Sequence, residues 1–295
     1  MTSIIQCVPN FSEGRNPYTV EAIVQAAAIA PTACVVDYSS DPDHNRMVVT
    51  LLGDPQGIKK AIFESAKRAI ELIDLRKHTG AHPRIGAVDV IPLVPIKEIT
   101  LEDCVKLSYE IGREIAEKLC VPVYFYEYSA LTPARRNLAY IRRGGYESLR
   151  DNGISGERAP DIGPHQVHPS AGATAIGARD PLVAYNVNLE TTDMEVCRSI
   201  VNKVREEMKP YGVKAIAVWL ATRSQAQVSM NLTKPELTPL KMVYQFVEAE
   251  ARKYGIDIAE SEIIGVISSK VLDGTDREAI KAFKLKDSQI LENWL

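Results

Sequence analysis

Most of the features that quickly assign a protein are missing from this sequence. No apolar run reaches the roughly 18 residues that a membrane-spanning helix needs. The opening stretch MTSIIQCVPNFSEGRN has no basic start followed by a long apolar core, so no secretory leader is expected. There is no basic excess: 35 Lys and Arg face 38 Asp and Glu, for a formal net charge of -3. That balance argues against nucleic acid as a partner. The five cysteines are scattered without a C-x-x-C and are odd in number. They are expected to be reduced, mostly core residues of a cytoplasmic protein. G-x-S-x-G, H-E-x-x-H and the G-K-[ST] ending of a phosphate loop are all absent, which removes the motif-based cases for a serine hydrolase, a zinc protease and a P-loop enzyme.

What remains is a chain of 295 residues, 45% hydrophobic and 25% charged, within the globular range and long enough for about two cores. Strand-like and helix-like segments alternate. PYTVEAIVQAAAIA has helical apolar spacing and opens on Pro17, a residue suited to a first helical turn. ACVVDYS and RMVVTLLG read as strands, DPQGIKKAIFESAKRAIELIDLRK as a long amphipathic helix running to about Lys77, and AVDVIPLVPI as a strand. TLEDCVKLSYEIGREIAEKLC reads as a helix with Thr100 as N-cap and Asp103 three residues on. From Ser129 to about Pro181 the periodicity loosens, and this Gly- and Pro-rich stretch reads as a crossover at a domain boundary. The same grammar then restarts, with TPLKMVYQFVEAEARKYG ending at Gly255 as a C′ glycine. A weak repeat relates Val48–Pro55 to Val228–Pro235. The expected class is α/β (α+β), with two ferredoxin-like β-α-β-β-α-β subdomains over residues 1–180 and 181–295.

His78 and His82 stand four apart in RKHTGAHPRIG. A metal pair needs both rings on one helix face. Gly80 and the bias of a pre-proline residue toward extended backbone work against that. His78 then reads as a helix C-terminal residue complementing the dipole. His82, pinned before Pro83 at the mouth of a strand, is either a catalytic imidazole or a loop residue. SSDPDHNRM packs Asp41, Asp43, His44, Asn45 and Arg46 between two strands, as a polar hairpin loop or a ligand site would. The arginines of ARRNLAYIRRGGYESLR are a solvated face or carboxylate binders.

Taken together, CVPNFSEGRN, DPDHNR, LIDLRKHTGAHPRIGAVDVIPLVPI, VPVYFYE, APDIGP, GATAIGAR and LVAYNVNL resemble the formiminotransferase family from Ile4 to about Leu232. The resemblance implies transfer of the formimino group of N-formimino-L-glutamate to N5 of tetrahydrofolate, in histidine degradation. It also implies a folate cleft or tunnel between two α/β subdomains, usually in a homodimer. Tetrahydrofolate would be a co-substrate, with no metal and no membrane partner. The catalytic histidine falls on His82, with Asp37 or Asp41 as orienting acid. Asn10, Glu13, Asn45 and Arg46 are expected near substrate, Gly172 and Gly177 along the folate, and Arg135 on a carboxylate. Animal members often carry an acid where this chain has Ser39. They also continue into a cyclodeaminase domain, for which this chain has no length, so a stand-alone transferase handing its product to a separate enzyme is expected. The alternatives are formyl transfer between 5-formyl-tetrahydrofolate and glutamate, and a folate-binding protein without catalysis.

Overall fold

The computed structural model describes residues 3–272 and 274–295. The chain divides into two compact units, residues 1–180 and 181–295, each with a sheet and a core of its own. The class is mixed α/β, as the alternation of the two periodicities predicts.

In the first unit, β1 (Ile4–Cys7) and β2 (Asn10–Phe11) are two pieces of one line, interrupted where Pro9 cannot donate to a ladder. Helix α1 (Pro17–Ala27) starts on Asn16, whose side chain accepts from the N–H groups of Tyr18 and Thr19. Strands β3 (Ala33–Asp41) and β4 (Arg46–Gly53) form a hairpin. Helix α2 (Pro55–Leu72) is capped by Asp54, which accepts from Gly57 N–H, with Pro55 in the first turn. Its buried residues Ile58, Ala61, Ile62, Ser65, Ala66 and Ala69 follow the 3.6-residue period. It stops at Leu72, earlier than the sequence pattern implies. Strand β5 (Val88–Lys97) precedes α3 (Leu101–Leu119). There Thr100 and Asp103 form the expected reciprocal capping box, a motif worth about 1 kcal/mol. Strand β6 (Val123–Phe125), the short helices α4 (Leu138–Ile141) and α5 (Gly145–Asn152), and β7 (Thr174–Ala178) complete the unit.

Across the sheet β3 pairs with β4, β4 with β1 and β2, these with β5, β5 with β7, and β7 with β6. The pairings up to β5 are antiparallel, and β5–β7–β6 is parallel. Ile5, Cys7, Val49, Leu51, Ile91 and Leu93 share one core with the inner faces of α1, α2 and α3. Val90, Tyr124, Tyr126 and Ala175 join a second cluster with Ile141, Leu149 and Ile154 from α4, α5 and the turn after them. The stretch read as a crossover is thus partly wrong in kind. GATAIGA supplies β7, an interior strand buried at every position. A parallel strand covered on both faces has no reason to alternate, and its small residues hide the usual apolar signal.

The second unit repeats the element order with β8 (Val183–Leu189), α6 (Met194–Glu207), β9 (Val213–Leu220), β10 (Gln225–Leu232), α7 (Leu240–Arg252) and β11 (Ile258–Ile264), then α8 (Ser269–Leu272). Its antiparallel sheet runs β11-β8-β10-β9. Helix α7 ends with Lys253 as its cap, so Gly255, at φ +68°, sits one position beyond the C′ place expected for it. Cys7, Cys104 and Cys197 are buried as expected, whereas Cys34 and Cys120 are exposed. No described helix is long and apolar enough to cross a membrane.

Candidate active site

At one end of the first sheet β2 and β3 finish while β4 and β5 begin. Their connecting loops, 12–16, 42–45 and 73–87, therefore converge. Asn45 staples them. Its backbone takes the left-handed conformation, φ +46°, which Asn tolerates better than most residues. Its Oδ1 accepts from Gly14 N–H at 2.9 Å, its Nδ2 donates to Thr79 O at 2.9 Å, and its carbonyl accepts from His78 Nε2 at 2.8 Å. Ala81 N–H donates to Asp43 O at 3.1 Å. Ser12 ties the first loop to the lead-in of β5 through Gly86 O at 2.7 Å. Gly80 lies so close that a Cβ there would meet His44 O at 2.3 Å, which accounts for glycine at that position.

The loops form a narrow recess lined by Ser12, His44, Asn45, Arg46, His78, His82, Arg84 and Asp89. The two histidines of the original pair differ in kind. His78 Nδ1 accepts from Arg84 Nε at 3.0 Å. A guanidinium N–H can only donate, so the ring proton is on Nε2, where Asn45 O accepts it. A second proton would set two donors against each other. Burial is the main reason that His78 stays below the ordinary histidine pKa, with the Arg84 charge adding to it. It is a neutral structural crosslink, six residues beyond the end of α2, and not the dipole-complementing residue that the sequence pattern implies. Arg84 is in turn forked onto Glu147 at 2.6 and 2.8 Å.

His82 points Nδ1 at Pro83 O, 2.7 Å away. The carbonyl accepts, so Nδ1 carries the proton and Nε2 keeps its lone pair. Its ring stacks on His44, centroids 6.0 Å apart and planes 25° apart. Burial holds its pKa well below 6.5, reinforced by the charges of Arg46 and Arg142 and by His44. Arg46 is itself lowered to about 10, by burial and by Arg142, against the pull of Asp89 and Asp41. Asp89, 1% exposed, accepts from Ile85 N–H at 2.8 Å and from Arg142. The arrangement presents a neutral imidazole with a bare Nε2 beside two guanidiniums, which suits proton abstraction next to an anionic ligand. Among the described residues no cluster of His, Cys, Asp and Glu is spaced to hold a metal ion.

Residues 4–179 match the family model for the formiminotransferase domain, N-terminal subdomain, and residues 184–289 match that for the formiminotransferase domain. The chain belongs to the formiminotransferase family. It is 42% identical to the glutamate formimidoyltransferase of Streptococcus pyogenes serotype M1, with 100% of this chain and 99% of that one covered. With the glutamate formimidoyltransferase of Thermoplasma acidophilum it shares 40% identity over 98% of this chain and 96% of that one. The formimidoyltransferase-cyclodeaminase of Rattus norvegicus is 38% identical over 92% of this chain and 51% of its own length.

Within this formiminotransferase the structure gathers some of the expected site residues and separates others. His82, Asn45 and Arg46 line one recess. Asp41 Oδ1 accepts from the N–H groups of Asp43 and His44, at 2.8 and 2.7 Å, and shapes the hairpin. Asp37 lies in β3 opposite Thr50 and is not among the lining residues. Asn10, in β2, donates to Val8 O. Glu13 Oε1 accepts from Arg15 and Asn16 N–H and builds the neighbouring loop. Gly172 has φ +71° and would carry a Cβ 2.1 Å from Ile85 O, and Gly177 one 2.2 Å from Tyr126 O, so close backbone approach explains both glycines. Arg135 is spent internally, on Asp161 and the carbonyls of Glu157 and Ala159, and lines a different cavity, of about 20 Å³. That engagement replaces the carboxylate ligand expected for it. Asp89 and Arg84 were not singled out by sequence. An acid between two valines in an apolar strand is the signal that could have marked Asp89, because a buried charge needs a partner.

Proposed function

We propose that this protein transfers the formimino group of N-formimino-L-glutamate to N5 of tetrahydrofolate, with His82 moving the proton. The observation that carries the reading is the tautomer of His82: Nδ1 is committed to Pro83 O, and Nε2 is free in a recess that keeps the ring neutral. In the reaction N5 forms a bond to the amidine carbon and gives its proton to Nε2. The bond from that carbon to the glutamate nitrogen then breaks, and the same proton passes to that nitrogen as glutamate leaves. One imidazole serves both directions, and such general acid–base help is worth roughly 10²–10⁴-fold. Family membership supports the substrates, since the relatives of similar length are named glutamate formimidoyltransferases. On this reading the co-substrate is the reduced folate, and the protein works in histidine degradation in the cytoplasm as a homodimer, its product passing to a separate cyclodeaminase.

Glutamate release from formiminoglutamate, measured with and without tetrahydrofolate, tests the reading. Release that requires the folate and falls in His82→Ala upholds it. Absence of release with formiminoglutamate, or turnover only with 5-formyl-tetrahydrofolate and glutamate, overturns it.

A further inference from the structure

Beside His82 lie two guanidiniums, Arg46 and Arg142, that their surroundings leave incompletely paired. Arg84 is committed to Glu147 and His78 through all three of its nitrogens. Arg142 donates to Asp89, whose other oxygen is taken by Ile85 N–H. One oxygen of Asp41 accepts from two backbone N–H groups. Arg46 remains: its Nε is buried and has no hydrogen-bond partner among the described residues, and the same holds for Nε of Arg142. Asp89 and Asp41 act on Arg46 only through space. Leaving a buried charged donor unpaired is costly, and a guanidinium edge matches the two oxygens of a carboxylate.

We propose that Arg46, backed by Arg142, binds the α-carboxylate of the amino-acid donor and so sets the donor's reacting nitrogen over Nε2 of His82. This rests on the transfer reading above and specifies which substrate group the recess takes. One fact selects the α-carboxylate. In N-formimino-L-glutamate the α-carboxylate sits on the carbon that bears the reacting nitrogen, so anchoring it at Arg46 keeps that nitrogen within the same recess as His82. Anchoring the γ-carboxylate there would place the nitrogen at the far end of the side chain.

The bound anion also changes the imidazole. The groups acting on His82 are Arg46 from β4, Arg142 from the turn after α4, His44 from the hairpin loop and the Pro83 carbonyl. All but the last disfavour its protonated form. A carboxylate on Arg46 offsets part of that repulsion, so His82 gains basicity when the donor arrives.

The test is calorimetric binding of three ligands to the full-length protein, to Arg46→Gln and to Arg46→Lys. The ligands are N-formimino-L-glutamate, 4-(formimidoylamino)butanoate, which lacks only the α-carboxylate, and N-formimino-L-2-aminobutyrate, which lacks only the γ-carboxylate. The unsubstituted protein should bind the donor roughly 10- to 100-fold more tightly than the compound without the α-carboxylate, the range of a charge-assisted hydrogen bond. Arg46→Gln should lose about that factor for the donor and less than about threefold for the compound without the α-carboxylate. Arg46→Lys, which keeps the charge, should recover part of the loss. Equal binding of the donor and the α-decarboxy compound by the unsubstituted protein overturns the assignment whether or not Arg46→Gln folds. So does an equal loss for both in Arg46→Gln. Turnover distinguishes this from the parent reading. Folate-dependent glutamate release without α-carboxylate dependence refutes the Arg46 assignment alone; α-carboxylate-dependent binding without release upholds it and refutes the transfer.

Discussion

Replacing Asn45 with alanine should unfold the loop junction at a calculable cost. Two side-chain hydrogen bonds disappear, to Gly14 N–H and Thr79 O, both at 2.9 Å, at a site where Asn45 is 7% exposed. Each partner left unsatisfied there costs about 1–3 kcal/mol. The backbone at φ +46° adds roughly 1 kcal/mol for alanine, whose Cβ crowds the carbonyl in the left-handed region and which has no polar side chain to compensate. The sum is about 3–7 kcal/mol, a large share of the stability of an ordinary domain. Asn45→Gly loses the same hydrogen bonds without the backbone strain, so it should be about 1 kcal/mol more stable than Asn45→Ala. Urea unfolding followed by far-ultraviolet circular dichroism gives both differences. A loss below 1 kcal/mol for alanine, or glycine no better than alanine, would refute the reasoning. In whatever fraction of Asn45→Gly is folded, the loop carrying His78 and His82 has lost its staple. Turnover should then drop at least about tenfold, because misplacing a proton-transfer group by an ångström is expensive.

Four further outcomes follow from the same geometry. His82→Ala should lower turnover by roughly 10²–10⁴-fold while calorimetry shows tetrahydrofolate binding within about threefold of the parent; unchanged turnover removes His82 from the chemistry. Because burial, Arg46 and Arg142 hold His82 well below 6.5, its neutral form persists to lower pH. The acid limb of log kcat/KM should therefore lie below pH 6.5 and vanish in His82→Ala, and a limb above 6.5 contradicts the assignment. Asp89→Asn strands the Arg142 charge in a nearly buried position and should cost about 3–5 kcal/mol. The double variant with Arg142→Gln should recover part of this in thermal unfolding. His78 and His82 both have folded pKa values below 6.5, so the unfolded chain binds more protons as pH falls through 6.5. Their contribution to stability is complete above pH 6.5 and is lost as pH falls toward the folded values. The urea midpoint should drop from pH 7.5 to 5.5, less steeply in His78→Gln, where the amide can keep a donor and an acceptor.

Much of this protein is written locally. Asp54-Pro55 and the Thr100/Asp103 pair start α2 and α3 because capping groups lie within three residues of the N–H groups they satisfy. The 3.6-residue spacing from Ile58 to Ala69 and the apolar run of β4 determine which faces turn inward. The inequality of His78 and His82 is legible too, since Gly80 and Pro83 forbid a shared helical face. Local order does not show where a side chain's partner comes from. His78 looks like a helix terminus until Asn45, 33 positions away, takes its proton. Arg142 looks like one of several solvated arginines until it meets Asp89, 53 positions away. Asp41, read as a candidate acid, gives one oxygen to its own turn. GATAIGA looks like a loop because only burial on both faces makes a strand of it.

The sequence by itself therefore determined the α+β class, the helices with their caps, and the pinned imidazole at position 82. Those features rest on backbone sterics and on interactions within a few residues. Only the tertiary structure decided which charges meet. It made His78 a strut, gave His82 a carbonyl for its Nδ1–H, and left Arg46 with a buried, unpaired Nε, because pairing and desolvation depend on groups that the chain brings together only after the sheet has formed.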